Sequence, residues 1–152
     1  MYRLRLPGLA RDYAPPNPAD TLYDLTNRER LAMFLLPYRR SAVLDRAAQM
    51  RTDDMAARNY FGHDTPDGTK GYTSALSFLG VSYAWAGENL ALNNWPVETS
   101  PQEAIRGLMA SPLHRANILE PRDFDQIGVA YTYRTSDGMH LFAQIFLLER
   151  TP

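Results

Sequence analysis

The chain has 152 residues, enough for one domain around one core. Lys and Arg number 16 against 17 Asp and Glu, so there is no basic footprint for nucleic acid and no electrostatic pull toward anionic lipid. Cysteine is absent, which excludes disulfides, a Cys nucleophile and Cys-ligated zinc.

Residues 1–25 carry Pro7, Pro15, Pro16 and Pro18, and proline fixes φ and removes donors, so they read as an extended arm or linker remnant. A domain over 26–152 is expected to follow. Helical patterning begins near Thr26, with Leu31, Phe34 and Leu35 at helical spacing, and Pro37 ends it. Ser41 is placed to cap a second helix. There Val43, Leu44, Ala47, Ala48, Met55 and Ala56 form the inward stripe, and Arg46, Arg51, Asp53 and Arg58 are expected to face out.

Gly, Asp and Pro cluster over 59–68, which is a loop. A short helix with Tyr72, Ala75, Leu76 and Leu79 follows and stops at Gly80. The apolar-rich segment from Tyr83 to Leu92 reads as a strand that becomes irregular around Gly87-Glu88-Asn89. Ser100-Pro101-Gln102-Glu103 has the form of a capping box, and Ser111-Pro112 starts another short helix through Leu119. The alternation from Ile127 to Tyr133, the turn at Ser136-Asp137-Gly138 and the apolar run from His140 to Leu148 make a terminal hairpin. Helices first and a hairpin last give an α+β class, with helices stacked on a small antiparallel sheet.

The chain has three histidines. His63 stands in the Gly/Asp/Pro loop, where functional side chains concentrate. His114 lies just inside a helix start, where the positive end of the dipole lowers an imidazole pKa and favours the neutral, metal-competent form. His140 is assigned to a solvated strand end without a role. Glu88 lies in an apolar stretch, and a buried carboxylate demands a partner: an imidazolium, a cation, or backbone N–H groups. No His-Glu-x-x-His, Gly-x-Ser-x-Gly, Walker or dinucleotide fingerprint is present.

Five ordered blocks carry a family likeness: Phe61-Gly62-His63-Asp64-Thr65-Pro66-Asp67-Gly68, Ala86-Gly87-Glu88-Asn89-Leu90-Ala91, Ser111-Pro112-Leu113-His114-Arg115-Ala116-Asn117-Ile118-Leu119, Ile127-Gly128-Val129-Ala130 and Gln144-Ile145-Phe146. Together they resemble the CAP superfamily, in its bacterial secreted branch without cysteines. Its relatives include cysteine-rich secretory proteins, plant pathogenesis-related proteins and insect venom allergens. The resemblance covers about Thr26 to Leu148.

It implies a three-layer α-β-α sandwich with a central antiparallel sheet and a cleft. In the family, two His and two acids line that cleft and can hold a divalent ion. His63, Glu88 and His114 match three of the four. Leu108 stands at a position often aromatic, Ser111 at the position of the fourth, acidic member, and Leu113 where a small residue is usual. Glu103 and Glu120 are not in register with that member.

The implied function is binding of a small amphipathic or lipid-like ligand, a divalent metal (Zn, Mg or Ca), or both. A metal-dependent or serine hydrolase, with Glu88 as base or Ser111 as nucleophile, and an envelope-associated interaction domain are the alternatives. The resemblance also implies secretion or attachment at the cell envelope, although Met1 to Pro7 carry no apolar leader stretch. No apolar run approaches the roughly 20 residues that span a bilayer.

Overall fold

The computed structural model describes residues 16–150. Its elements in chain order are α1 (Pro18–Ala32), β1 (Arg39–Arg40), α2 (Ala42–Ala57), α3 (Gly71–Phe78), β2 (Tyr83–Asn93), α4 (Ser100–Ala110), α5 (Pro112–Ile118), β3 (Gln126–Arg134) and β4 (Met139–Glu149). The sheet order is β1-β3-β4-β2. It is antiparallel apart from the two-residue β1, which runs parallel to β3. One core lies between the sheet and α2/α3, around Leu44, Met55, Leu76 and Ile145. The other lies between the sheet and α1, α4 and α5, around Leu22, Leu108, Phe142 and Phe146. This is the expected three-layer sandwich, with a mixed sheet.

Helix α1 begins eight positions before the expected start at Thr26, so 18–25 belong to the domain and not to an arm; residues 1–15 lie outside the described part. The proline that suggested a linker is the first helical residue. The Asn17 side chain accepts from the Ala19 N–H at 2.9 Å, and Pro18 sits where its missing N–H costs nothing. The buried face of α1 is Ala19, Leu22, Thr26, Asn27 and Arg30. Leu31 and Phe34, read as its stripe, are instead exposed, and Phe34 takes a left-handed φ of 58° just after the helix.

In α2, Leu44, Ala47, Ala48 and Met55 are buried as expected, but Val43 is not, and Arg51 is only 2% exposed. Gly128 lets α2 lie directly on β3, because a Cβ there would meet the Leu44 carbonyl carbon at 2.1 Å. Gly80 ends the α3 region at φ +69°.

β2 continues as one strand through Gly87-Glu88-Asn89 to Asn93, broken only by a register shift between Tyr83 and Trp85. The capping box at α4 does not form. Ser100 is already helical and donates to Asn93 Oδ1 at 2.8 Å, and Thr99 takes the N-cap position. Ser111 is the N-cap of α5 by position but makes no side-chain cap bond. His140 is buried, not solvated: its Nδ1 pairs with the Tyr131 hydroxyl at 2.8 Å.

Candidate functional site

Glu88 and Asn89 are successive residues of β2, so their side chains leave opposite faces of the sheet. Each fixes a segment that carries a histidine, Glu88 that of His63 and Asn89 that of His114; of these four only His114 lines the cavity described below. On the α2/α3 face the Glu88 carboxylate is fully buried and engaged through both oxygens. Arg51 Nε donates to Oε2 at 2.7 Å and Arg51 Nη2 to Oε1 at 3.3 Å. His63 Nδ1 approaches Oε1 at 2.8 Å. The partner that Glu88 required is therefore an arginine and an imidazole together.

Arg51 also shapes the loop that carries His63. Its Nη1 donates to the Tyr60 hydroxyl at 2.9 Å, and its Nη2 to the carbonyls of Gly62 and His63 at 2.6 and 3.2 Å. The Gly71 N–H closes the loop onto the His63 carbonyl at 2.9 Å. A Cβ on Gly71 would lie 2.1 Å from Arg51 Cζ, so the guanidinium occupies the space a side chain would take. Sequence reasoning places Arg51 outside because it is charged. Its position is nonetheless legible in the period: it stands four residues after Ala47 and seven after Leu44.

On the other face the Asn89 amide donates to the His114 carbonyl at 3.0 Å and to Gln144 Oε1 at 3.0 Å, and accepts from Asn117 Nδ2 at 2.9 Å. Gln144 passes the network on to the Thr26 hydroxyl at 2.7 Å. These neutral bonds anchor the start of α5 and leave the His114 ring free of any hydrogen bond to another described residue.

The two histidines are set apart electrostatically. The hydrogen bond to Glu88 raises the His63 pKa above its ordinary value, against a smaller effect of burial. Burial lowers that of His114, and the positive charge of nearby His63 lowers it further. The direction for His114 is the one expected, but its causes are desolvation and His63.

His114 borders a cavity of about 290 Å³ with Phe61, Leu92, Gly107, Leu108 and Ser111. Leu108 and Ser111 thus both reach the cleft. Glu103 reaches it too, from the first turn of α4, where it pairs with Arg106. A larger cavity, about 660 Å³, lies between α2 and α3 and contains no histidine. Its charged lining is already engaged, Arg58 with Asp54 and Asp67 and Arg51 with Glu88, so the smaller cleft is the better candidate despite its size.

Both Glu88 oxygens are already engaged, Oε2 by Arg51 Nε and Oε1 by Arg51 Nη2 and His63 Nδ1, so a cation at Glu88 would compete with those bonds. Among the described residues no group of three or more His, Asp or Glu side chains converges closely enough to hold an ion.

The family model for CAP, the cysteine-rich secretory protein family, matches residues 23–146. The uncharacterized protein YkwD of Bacillus subtilis (strain 168) is 38% identical over 108 residues, which are 71% of this chain and 40% of that protein. The chain thus spans well under two thirds of that relative. An extracellular protein containing a SCP domain from Bacillus anthracis str. Ames superposes with a TM-score of 0.73 at 28% identity, over 87% of this chain and 40% of that one. An outer surface protein of Borrelia burgdorferi shares the fold, with a TM-score of 0.71 at 18% identity over 88% and 93% of the two chains. The blocks around His63, Glu88 and His114 all fall inside the matched residues, and this chain belongs to the cysteine-rich secretory protein (CAP) family.

Proposed function

We propose that the domain is a binding module, not a hydrolase, and that the cleft beside His114 takes a small amphipathic ligand. The observation that carries this reading is the state of Glu88. A catalytic base needs an accessible oxygen lone pair, whereas this carboxylate is fully buried and engaged by Arg51 and His63. What remains is an apolar groove with polar groups at its end, the usual make-up of a small-molecule site. His114, held neutral by burial, offers a hydrogen bond to the ligand's polar end.

Any divalent ion would be held by the imidazoles of His63 and His114, with Glu88 orienting the first through Nδ1 and leaving Nε2 as the ligating atom. Two imidazoles favour zinc over magnesium or calcium. The ion would supply positive charge for an anionic ligand group. The names of the SCP-domain and outer-surface relatives support a place outside the cell. No helix among the described residues is long and apolar enough to cross a membrane.

The test is titration with a dansylated fatty acid. Saturable fluorescence enhancement is expected, and it should be lost in Gly107→Leu, which fills the groove. An enhancement equal in the two proteins would refute the cleft as the site. Equilibrium dialysis with Zn²⁺ on native protein and His63→Ala/His114→Ala tests the ion, and equal uptake by both would remove it. Casein hydrolysis abolished by Glu88→Gln in a folded variant would restore the enzyme reading.

A further inference from the structure

The ladder pattern shows which backbone groups of β2 face away from the sheet. Arg39 and Ser41 donate their N–H groups to the carbonyls of Asp125 and Ile127, both at 3.0 Å, and the Val129 N–H is taken by Asp45 Oδ1 at 2.8 Å. The odd positions of β3 therefore point toward β1, and the even ones, Gly128 and Ala130, bond to their β4 partners Ile145 and Ala143. It follows that Phe146, Gln144 and Phe142 bond across to Gly87, Asn89 and Ala91. Ala86, Glu88, Leu90 and Leu92 are left with N–H and C=O on the free edge. None of these groups has a backbone partner outside the ladder among the described residues. Leu90 is only 5% exposed, and recessed backbone groups without partners are rare.

That edge opens into the cleft beside His114. Side chains from both faces of β2, Leu90 and Leu92 on one and Ala91 and Asn93 on the other, line the same cavity, so it straddles the strand edge. Phe61 stands on one side and α4 on the other. On the α4 side the wall is set back at Gly107. A glycine inside a helix is destabilising relative to alanine. Here no packing requires it, because a Cβ would meet nothing within 4 Å. The fold thus keeps open a channel alongside the main-chain donors and acceptors of Leu90 and Leu92, which have no partner among the described residues.

Resting on the reading of this cleft as a binding site, we infer that its ligand is a short extended peptide segment, which pairs with Leu90 and Leu92 as an added strand and lays an apolar side chain toward Leu108. The complementarity is that of the main chain. Leu90 and Leu92 present donor–acceptor pairs about 7 Å apart, the two-residue repeat of a strand. A second copy of this chain is the other natural strand donor. Its own β2 edge is recessed between the same flanking elements, and two recessed edges cannot approach to the roughly 4.8 Å that strand pairing needs.

The experiment pans a displayed library of random linear decapeptides against the chain and resynthesises the enriched sequences. Three results are expected. The amides of Leu90 and Leu92 should exchange at least tenfold more slowly in the complex, measured residue by residue by NMR. N-methylation of the peptide should weaken binding at least tenfold at alternate positions and little between them. Gly107→Leu, which leaves the strand edge intact, should weaken binding at least tenfold while the chain keeps its fold. A panning without enrichment over bare support, binders that leave those two amides unprotected, a flat N-methyl scan, or protection that arises from dimerisation without peptide would each overturn the proposal. If peptides fail and the dansylated fatty acid still binds at Gly107, only the peptide inference falls. If neither binds, the cleft reading falls with it.

Discussion

The two faces of the sheet solve the same problem, fixing a segment that carries a histidine, by opposite chemistry. Below Glu88 lies a buried ion pair: a guanidinium and a carboxylate, both out of water, with Arg51 also holding the loop from Tyr60 to His63. Below Asn89 lies a neutral relay of amides and a hydroxyl, from Asn117 to Gln144 to Thr26. A buried charge pair contributes little net stability when intact and is destabilising when halved, whereas an amide relay loses a moderate amount per broken bond. The ionic face should therefore be brittle and the amide face graded.

The largest expected effect follows directly. Glu88→Ala leaves the buried Arg51 without its carboxylate, and Arg51→Ala leaves the buried Glu88 with only the half-exposed His63; either should cost about 3–5 kcal/mol, read by urea unfolding. The double replacement Arg51→Met/Glu88→Leu should recover the part of that loss due to the unpaired charge, yet leave His63 without its carboxylate and the Tyr60–His63 loop without its guanidinium bonds. A double variant no more stable than the singles would show that the pair is not brittle in the sense argued. Asn89→Ala comes next. It strips partners from the His114 carbonyl, Gln144 and Asn117, and should cost about 1–3 kcal/mol. A cost equal to that of Arg51→Ala would erase the contrast between the faces. Gly71→Ala should destabilise first through Arg51, whose atoms are the nearest to the added Cβ, so the same substitution in the Arg51→Met/Glu88→Leu background should be milder.

The smallest effect is a titration. By NMR, His63 should titrate above the ordinary imidazole value and His114 below it. Because the folded-state pKa of His63 is raised, its stabilising contribution is fully present below about pH 6.5 and is lost as pH rises through the folded value. His114, with a lowered folded pKa, acts the other way: protonating it below about pH 6.5 disfavours the folded state. His63→Ala should accordingly be more destabilising at pH 5.5 than at pH 8.5. A pH-independent difference would mean that the bond to Glu88 does not govern His63.

Much of this arrangement is legible in the sequence, and the rest is hidden for identifiable reasons. Strand and helix periodicity finds the hairpin, α2 and α3, and the ordered blocks assign the family. The demand of a carboxylate in an apolar stretch for a cationic partner is also legible. Arg51 is hidden when charge is allowed to outweigh its place on the buried stripe. The inner face of α1 is hidden because it is largely polar, with Thr26, Asn27 and Arg30 buried and Leu31 and Phe34 exposed, so an apolar pattern points the wrong way. Arg30 is buried because its guanidinium tethers the carbonyls of Leu36, Ile118 and Glu120. Long-range hydrogen bonds of that kind leave no local signature. His140 is misplaced because nearness to a turn suggests solvent, when Tyr131 lies against it.

The alternation of Glu88 and Asn89 has a consequence for folding fidelity. Were β2 to slide by one residue against β4, Glu88 would enter the amide layer without a countercharge and Asn89 would face a stranded guanidinium. Two dissimilar polar neighbours thus act as a key that admits a single alignment of an edge strand whose small and apolar residues alone would tolerate several.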